Sequence, residues 1–362
     1  MLKKLADIFN KSIMTGEFPD KWKNSVIIPT KKVSNAQHPQ EFRPINTKPY
    51  TEKLFEKLIK KQLIEYVTNN NILIENQSGF RAKHSCETSL QLIISRWKCW
   101  IDKPGRVVVA AFLDLRRAFE TISRKLLLQK LQAMGVRGNE IKWFQSFLSG
   151  RTQTTKIGST LSIPIASEMG VPQGTVIGPL LFILYINDIL AAINSDKHVC
   201  VNLFADDTLI AVEDIDSATT IHKLNSVLGQ INNWMKLNSL IMNTEKSKVL
   251  IIGCSDKISC LPNVTLGGAV LEIVDNVKYL GVIIDNKLSF KLHLSKLISK
   301  FSQKVNYFGR TCKSIALKHR IDVYKSIVAP HFQYCATILM HANITQLNKI
   351  QLVQNRAMRI IL

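Results

Sequence analysis

Hydrophobic residues in the first hundred positions recur mostly at the spacing of amphipathic helices, and this pattern predicts three helices. They cover the first 14 residues, a region from Leu54 to Val67, and a stretch from an N-cap at Ser85 to about Ile101. Between the first two helices, positions 26–29 form a short apolar strand that leads into a lysine-rich loop.

The middle of the chain alternates apolar strands with helical segments. Positions 107–113 are a continuous apolar run, which predicts a strand buried on both faces of a sheet. The other predicted elements are a helix capped by Ser123 and stopped by Gly135, a helix over 139–148, a hairpin over 152–165, a buried helix over 178–193, strands at 199–203 and 209–212, a helix capped by Ser217, strands at 249–252 and 277–284, and helices from about Phe290 onward. This uneven order of strands and helices indicates an α+β core with a helical tail.

Three aspartates follow these predicted strands. Asp114 comes directly after the strand at 107–113, and Asp206 and Asp207 lie where a hairpin turn falls. If the two strands are neighbours in one sheet, the carboxylates meet and repel one another unless a divalent cation lies between them. A few oxygen ligands suit Mg²⁺ that also binds substrate phosphates, and two such ions would clamp the attacking and leaving oxygens of a phosphoryl transfer.

The alternative for this acidic group is a solvated hairpin turn together with a helix cap at the end of a strand. The flanking sequence favours the catalytic interpretation, because the acidic pair lies between two apolar strands, where ionised groups are costly without compensation. In addition, the segment 170–188 (GVPQGTVIGPLLFILYIND) places Pro, Gln and Gly ahead of a buried helix. Such a loop can bring its backbone and one amide close to a ligand.

Charge is distributed unevenly along the 362 residues. The chain carries 48 Lys and Arg against 27 Asp and Glu, a net charge of +21. This excess favours a polyanionic partner, nucleic acid or an acidic membrane face, over an ordinary small metabolite. The net charge is +8 over residues 1–100, +1 over 101–286 and +12 over 287–362. A polyanion held by the basic flanks, with carboxylates acting in the neutral middle, would suit this distribution.

Membrane insertion and disulfide bonding are not indicated. The longest apolar stretch, at 176–186, contains Gly178 and Pro179 and is about half the roughly 20 residues that a spanning helix needs. The N-terminus has no separate apolar core of the kind found in signal peptides. An odd number of cysteines without a CxxC pair indicates free thiols in a reducing compartment and no zinc site. The cysteines are Cys86, Cys99, Cys200, Cys254, Cys260, Cys312 and Cys335.

Seven segments occur in the order of the motifs of one enzyme family. They are WKNSVIIPTKK…EFRPIN (22–46), NQSGFRAKHSCETSL (76–90), FLDLRRAFETI (112–122), GVPQGTVIGPLLFILYINDI (170–189), LFADDTLI (203–210), NWMKLNSLIMNTEKSKVLIIG (233–253) and VKYLGVIID (277–285). With these segments the chain resembles the reverse transcriptases of LINE-type (non-LTR) retrotransposons, most closely the jockey-like ones of insects.

The resemblance implies the α+β fold of a right-hand polymerase. Residues 1–100 would form the fingers with an N-terminal helical extension. Residues 101–286 would form the palm, an antiparallel sheet with helices, and residues 287–362 a helical thumb. The reverse transcriptase domain as a whole would cover about 10–285.

The resemblance also implies a role for individual residues. Asp114, Asp206 and Asp207 would bind two Mg²⁺ ions, which Mn²⁺ can replace, with the Leu115 carbonyl as an extra ligand. Phe119 would be the gate that excludes the 2′-hydroxyl of a ribonucleotide sterically. Arg81 would bind nucleic acid and is a weaker candidate for the triphosphate. The other dNTP-binding residues would be Lys32, Arg43, Gln173, Gly174 and Lys246.

Each of these assignments has a plainer alternative. Lys32 and Arg43 can belong to a solvated basic loop, Phe119 to the core, Lys246 to the surface and Arg81 to a structural ion pair. The five tryptophans lie at apolar-face positions and are interpreted as core rather than as stacking platforms for bases. They are Trp22, Trp97, Trp100, Trp143 and Trp234.

A basic stripe follows the apolar face of the predicted helix after Phe290. It comprises Lys287, Lys291, Lys296, Lys300 and Lys304, and no Asp or Glu lies between Asn286 and Ile321. We interpret the stripe as a thumb surface that contacts the backbone of a template–primer duplex without reading its bases. The alternative is a solvated helix face.

The implied function is RNA-directed DNA polymerisation, in which a DNA primer is extended on an RNA template. One alternative is a decayed element copy that only binds nucleic acid, but all three aspartates are present. A second is an RNA-directed RNA polymerase, which would favour a polar gate residue that accepts a hydrogen bond from the ribose hydroxyl, and Phe119 cannot accept one.

Two departures from the family pattern stand out, and neither affects the three aspartates. Glu120 replaces a usual Asp, and Arg116-Arg117 stands where one Lys is more usual. The chain also lacks the endonuclease domain of a full element protein, and it stops inside an apolar helical pattern, so we expect a fragment of an element reading frame. The expected partners are an RNA template, a DNA primer and dNTPs within an element ribonucleoprotein, located in nucleus and cytoplasm, with no membrane involved.

Overall fold

Apolar runs and amphipathic stretches fold into an α+β structure. The computed structural model describes residues 2–194, 196–253, 260–312 and 315–362. The strands are β1 (Asn24–Lys31), β2 (Phe42–Thr47), β3 (Val107–Leu113), β4 (Arg151–Ile157), β5 (Thr160–Leu161), β6 (Ile165–Ser167), β7 (Val199–Phe204), β8 (Asp207–Asp214), β9 (Lys248–Ile252), β10 (Thr265–Leu266), β11 (Ala269–Val270), β12 (Glu272–Ile273), β13 (Asn276–Tyr279) and β14 (Val282–Asp285).

Helices surround these strands and form the whole C-terminal part of the chain. They are α1 (Leu2–Thr15), α2 (Tyr50–Asn69), α3 (Cys86–Ile101), α4 (Ala118–Thr121), α5 (Arg124–Ala133), α6 (Gly138–Leu148), α7 (Gly178–Tyr185), α8 (Ser217–Leu237), α9 (Lys291–Thr311), α10 (Leu317–Val323), α11 (Pro330–Gln333) and α12 (Ile344–Ile361). Short 3₁₀ helices lie at Asp20–Trp22, Pro39–Glu41, Ile189–Ala192 and Ala336–His341, and a π-helical turn lies at Tyr324–Val328.

The central sheet has the strand order β12-β9-β3-β8-β7. The pairs β9–β3, β3–β8 and β8–β7 are antiparallel, and β12 joins β9 in parallel. Every residue of β3 is buried. Alternate residues of this strand contribute to two different apolar clusters, one on each face of the sheet. The prediction of a strand buried on both faces is therefore confirmed.

The two faces of the central sheet are covered by different elements. The first cluster contains apolar residues of α1, α2, α5, α6, α7 and α8, and the second contains those of α3, β13, β14 and the start of α9. Trp97, Trp100, Trp143 and Trp234 are buried in these clusters, and Trp22 is half-buried against the first. The tryptophans are thus core residues, as the sequence indicated.

A second sheet has the order β2-β1-β4-β5, with β6 paired to β4. β1 and β2 form an antiparallel hairpin, and β1 pairs with β4 in parallel. The parallel pairing brings residues 24–47 beside residues 151–167. It thereby forms one wall of the cavity described below.

Two predicted elements end or begin elsewhere than expected. The buried helix predicted for 178–193 ends at Tyr185, and a 3₁₀ helix follows at Ile189–Ala192. The Tyr185 carbonyl accepts a hydrogen bond from the Lys130 ammonium at 2.7 Å in place of a further helical N–H. The cap of α8 is Asp216 and not Ser217, since its side chain accepts a hydrogen bond from the Thr219 N–H at 2.8 Å. A carboxylate at this end also suits the helix dipole.

Two further expectations are corrected near residue 280. The strand predicted over 277–284 is a hairpin of β13 and β14, because Leu280 and Gly281 both adopt positive φ (+44° and +80°) in a two-residue turn. Lys287 precedes α9, which begins at Lys291 after Phe290. Lys287 therefore does not belong to the helical stripe.

The C-terminal helices form a third, smaller cluster around Phe301, Val305 and Phe308 of α9 and Ala357 and Ile361 of α12. Within the described part of the chain, no helix is long and apolar enough to cross a membrane. Cys86, Cys99, Cys200, Cys312 and Cys335 carry free thiols, whereas Cys254 lies outside the described residues.

Candidate active site

The three predicted aspartates lie at the same end of the central sheet. β3 pairs with β8 so that Leu113 is opposite Thr208, and the next position in the same register places Asp114 opposite Asp207. β7 and β8 form a hairpin in which Phe204 pairs with Asp207, so Ala205 and Asp206 form its two-residue turn. Neighbouring strands therefore bring together carboxylates that lie some ninety residues apart in sequence.

Both hairpin carboxylates have raised pKa values because they are buried and lie near other carboxylates. Burial raises the pKa of Asp206, and the negative charge of Asp114 adds to the rise. Burial, followed by Asp206 and Asp114, raises the pKa of Asp207 to about 6. A divalent cation would remove this penalty, because it favours the ionised form of each ligand.

The carboxylate of Asp114 is held by the segment that precedes β9. The Asn243 side-chain amide donates to Asp114 Oδ2 at 2.9 Å, and the Ser247 hydroxyl accepts from the Asp114 N–H at 3.2 Å. An isolated bridge between Leu115 and Met242 adds backbone bonds from Asn243 N to the Asp114 carbonyl and from Arg116 N to the Ile241 carbonyl. The Leu115 carbonyl, the predicted extra metal ligand, takes part in neither of these two bonds.

The donor set fits a metal that shares its ligands with substrate. In the described ranges of the chain, no group of three or more His, Cys, Asp or Glu side chains converges to enclose one ion. Mg²⁺ at phosphoryl-transfer sites is usually bound by one or two carboxylates plus water and substrate phosphates, not by an all-protein cage. The hard oxygens of Asp114, Asp206 and Asp207 match that mode of binding.

Phe119 lies beside the loop that precedes α7. Its ring is half-buried and packs on the buried ring of Phe182, with 4.8 Å between the ring centroids. Its carbonyl accepts a hydrogen bond from the Val171 N–H at 2.8 Å. The structure thus brings Phe119 to the same loop that carries Gln173 and Gly174.

The loop with Gln173 and Gly174 packs against the second sheet. Gly174 has φ +89°, and a Cβ there would lie 2.7 Å from the Asn46 carbonyl oxygen, so only glycine fits this approach. A cavity of about 410 Å³ opens between the loop and the sheet. It is lined by residues that include Pro44, Asn46, Glu120, Gly170, Pro172 and Gln173.

Two buried or half-buried ionic side chains fix this loop at its ends. The Arg124 guanidinium donates to the carbonyls of Ser167, Met169 and Gly170 before the loop. The Glu56 carboxylate, fully buried, accepts from the N–H groups of Val176 (2.5 Å) and Ile177 (3.2 Å) after it. The loop is therefore held in place from α5 and from α2.

Lys32 and Arg43 lie on the β1–β2 hairpin, outside the central sheet. Arg43 pairs with Thr30, and the Lys32 N–H donates to the Glu41 carbonyl two pairs further along. Because side chains alternate along strands, this register puts Lys32 and Arg43 on the same face as diagonal neighbours. Both residues are exposed.

Arg81 and Lys246 lie in segments that support the aspartates. Arg81 donates to the Ile74 carbonyl at 2.9 Å, so part of its guanidinium binds the backbone and not a carboxylate. Lys246 is exposed in the turn between Asn243 and Ser247, the two residues that hold Asp114.

Comparison with known proteins assigns the chain to a family. The family described as reverse transcriptase (RNA-dependent DNA polymerase) matches residues 28–284, a range that includes all three aspartates, the Phe119 region and nearly all residues that line the cavity. The chain belongs to the reverse transcriptase family. The chain shares 28% identity over 368 residues with the RNA-directed DNA polymerase from mobile element jockey of Drosophila melanogaster, covering 99% of this chain and 40% of that protein.

A second relative is the probable RNA-directed DNA polymerase from transposon X-element of the same fly, 26% identical over 359 residues, or 98% of this chain and 39% of that protein. The chain thus spans about two fifths of the length of the curated relatives it matches. Among solved structures, apo telomerase from Candida tropicalis has a TM-score of 0.52 at 12% identity, covering 99% of this chain and 67% of that one. The fold is that of a right-hand polymerase.

The lysines of α9 are exposed on the side of the helix that faces away from the core. Leu294, Phe301, Val305 and Phe308 are buried, as the helical period predicts. Lys291, Lys296, Lys300 and Lys304 are exposed, and Lys287 is exposed in the turn before the helix.

Sequence reasoning missed the residues that position the site. Asn243 and Ser247 lie inside the segment 233–253 that carried the resemblance, and both are residue types that bind nearby backbone. Glu52 and Glu56 share the core-facing side of α2 with Ile59 and Leu63. An acidic residue in an apolar stripe is a signal of a buried polar contact. Arg124 has no comparable signal in the sequence.

Proposed function

We propose that this chain is an RNA-directed DNA polymerase of a non-LTR retrotransposon that extends a DNA primer on an RNA template. The observation that carries the proposal is the meeting of Asp114, Asp206 and Asp207 at the β3–β8 end of the sheet. Family membership and the similarity to element polymerases support it. Reverse transcriptases generally use a divalent metal, and these residues are the ones that would bind it.

Two Mg²⁺ ions, which Mn²⁺ can replace, would supply charge stabilisation of the attacking and leaving oxygens when bound. Asp114 is kept in place by Asn243, and its backbone by Ser247, so this ligand is oriented before substrate arrives. The β7–β8 turn presents Asp206 and Asp207 from the neighbouring hairpin. The Leu115 carbonyl would complete the set.

The nucleotide would lie between these aspartates and the second sheet. Arg43 would bind the triphosphate through its planar fork and Lys32 as a point charge on the same face of the β1–β2 hairpin. Gln173 and Gly174 would line the pocket, with Phe119 under the sugar. Lys246, in the turn that anchors Asp114, would lie near the leaving pyrophosphate.

Regions of the chain correspond to the parts of a right-hand polymerase in this proposal. Residues 1–100 are the fingers, 101–286 the palm and 287–362 the thumb. Arg81 and the lysines from Lys287 to Lys304 would contact the template–primer. The working complex would be an element ribonucleoprotein in the nucleus and cytoplasm.

The test is a primer-extension assay on the purified chain with an RNA template, a DNA primer and dNTPs. Asp206→Asn should abolish extension while leaving duplex binding nearly unchanged, because Asn lacks the charge that holds a reluctantly dehydrated Mg²⁺. Asp216→Asn is the matched control, since Asn caps α8 as well as Asp does. Extension by Asp206→Asn at a rate close to that of the unsubstituted chain would refute the catalytic assignment.

A further inference from the structure

Residues 76–78 bind the outer edge of the central sheet through a single parallel bridge. Gln77 forms an isolated parallel bridge with Leu203 of β7, the last strand on that side. The Ser78 N–H donates to the Leu203 carbonyl at 2.8 Å, and the Leu203 N–H donates to the Asn76 carbonyl at 2.9 Å. The segment is therefore bonded to the strand that leads directly into the aspartate turn.

The Gln77 side chain reaches past the strand to the turn itself. Its Oε1 accepts from the Ala205 N–H at 3.1 Å and from the Gly79 N–H at 2.7 Å, and the residue is 1% exposed. Two donors converge on this atom, so only the amide oxygen, and not the nitrogen, can occupy the position. Within the described residues, the Gln77 Nε2 has no hydrogen-bond partner.

Ala205 needs such a constraint because it holds an unfavourable backbone conformation. Its φ is +56°, a left-handed value that a residue with a Cβ adopts at a cost. Ala205 comes immediately before Asp206, so a change in its backbone rotates both carboxylates. The contact is also close, because a Cβ on Gly79 would lie 2.2 Å from the Ala205 nitrogen.

We propose that Gln77 is a positioning residue that fixes the left-handed Ala205 turn and thereby presets Asp206 and Asp207 for metal. The inference rests on the proposed function in assigning metal to these aspartates. Without Gln77 the turn becomes ordered only when metal binds. The free-energy cost of that ordering then opposes binding, so the affinity for metal falls.

Asn76 provides a matched control within the same segment. Its Nδ2 donates to the Val201 carbonyl at 2.7 Å, so it also binds the edge of β7. That bond lies two residues before Leu203 and does not reach the turn. Asn76→Leu therefore removes a side-chain bond to β7, whereas Gln77→Met removes the side-chain bonds to Gly79 and to Ala205 in the turn. Only the second substitution releases the turn.

The experiment measures Mn²⁺ binding to the full chain with bound template–primer by calorimetry, together with amide exchange of residues 203–209 without metal. Gln77→Met should raise the Mn²⁺ Kd about tenfold and speed exchange in the turn, whereas Asn76→Leu should stay within about twofold of the unsubstituted chain. If Gln77→Met does not fold, Gln77→Asn, which keeps an amide with shorter reach, should give a smaller change of the same kind.

Equal effects of the Asn76 and Gln77 substitutions, or an unchanged Kd in Gln77→Met with unchanged exchange, would overturn the proposal. Failure of the proposed function is distinguishable from this outcome. A chain that extends no primer would refute polymerase activity, while the exchange comparison would still test whether Gln77 fixes the turn.

Discussion

Phe119 is the single residue on which sugar selectivity is expected to depend. Its half-buried ring is supported from behind by Phe182, and its backbone is fixed to Val171. Phe119→Ala should raise ribonucleotide incorporation relative to deoxyribonucleotide incorporation, because the bulk that excludes a 2′-hydroxyl is gone. Single-nucleotide extension with rNTP and dNTP measures the ratio. A ratio equal to that of the unsubstituted chain would make Phe119 a core residue. Phe308→Leu, in the separate cluster of α9 and α12, controls for general loss of stability.

Glu56 makes stability depend on pH near neutrality. Burial raises its pKa to about 7, and the bonds from Val176 and Ile177 offset only part of that rise. The folded chain therefore binds more protons than the unfolded chain between the ordinary glutamate pKa of 4.5 and about 7, so this group's contribution to stability falls as pH rises through that window.

Glu56→Gln, which cannot ionise, should become more stable relative to the unsubstituted chain as pH rises from 5 to 8, by roughly 1–3 kcal/mol. Urea unfolding at both pH values measures this difference. Glu41→Gln is the contrasting control, because backbone bonds from His38 and Gln37 lower the pKa of Glu41, which is already ionised over this range. A flat difference for Glu56→Gln would contradict the prediction.

At the level of elements, α9 presents its lysines to solvent and its apolar face to the core. Replacing Lys296, Lys300 and Lys304 with Gln should weaken duplex binding similarly for all sequences. It should also reduce the slope of log K against log salt concentration by roughly two to three, because fewer counterions are released on binding when phosphate contacts are lost. Incorporation on a saturating duplex should remain largely intact.

The control for this element removes three charges elsewhere. Lys3, Lys4 and Lys11 are exposed on α1, and replacing all three with Gln changes the net charge equally. Salt titrations of duplex binding by the two triple variants separate a local contact from a general charge effect. An unaltered slope in the α9 variant would mean that this stripe faces water.

At the scale of the whole molecule, the apolar core is divided into three clusters. Phe308, 2% exposed, belongs to the cluster of α9 and α12, which shares no residue with the two clusters of the central sheet. Phe308→Ala should lower the stability of this cluster by about 3–5 kcal/mol. Amide exchange should therefore accelerate in α9 and α12 while β3 and β8 stay protected. Phe147→Ala, in the first cluster, should instead accelerate exchange in β3 and β8 and leave α9 and α12 protected. Uniform acceleration of exchange would indicate one cooperative unit.

Local patterns in the sequence predicted what depends on local physics. The apolar run at 107–113 identifies the buried β3, because a strand covered on both faces has no polar side. Ser85 caps α3 as expected, accepting from the Thr88 N–H at 3.1 Å. Predicted boundaries were wrong where they depend on distant partners. The helix that ends at Tyr185 is an example, because the Tyr185 carbonyl accepts a hydrogen bond from Lys130 of another helix.

The sequence by itself determined the periodicity of the elements, the positions of Asp114, Asp206 and Asp207 at strand ends, and the motif order that indicates the family. Only the tertiary structure decided which side chains hold those groups in place. Asn243 reaches Asp114 across 129 residues and Gln77 reaches Ala205 across 128. A hydrogen bond between such distant residues leaves no periodic trace in the chain, because it depends on the pairing of strands that the sequence does not connect.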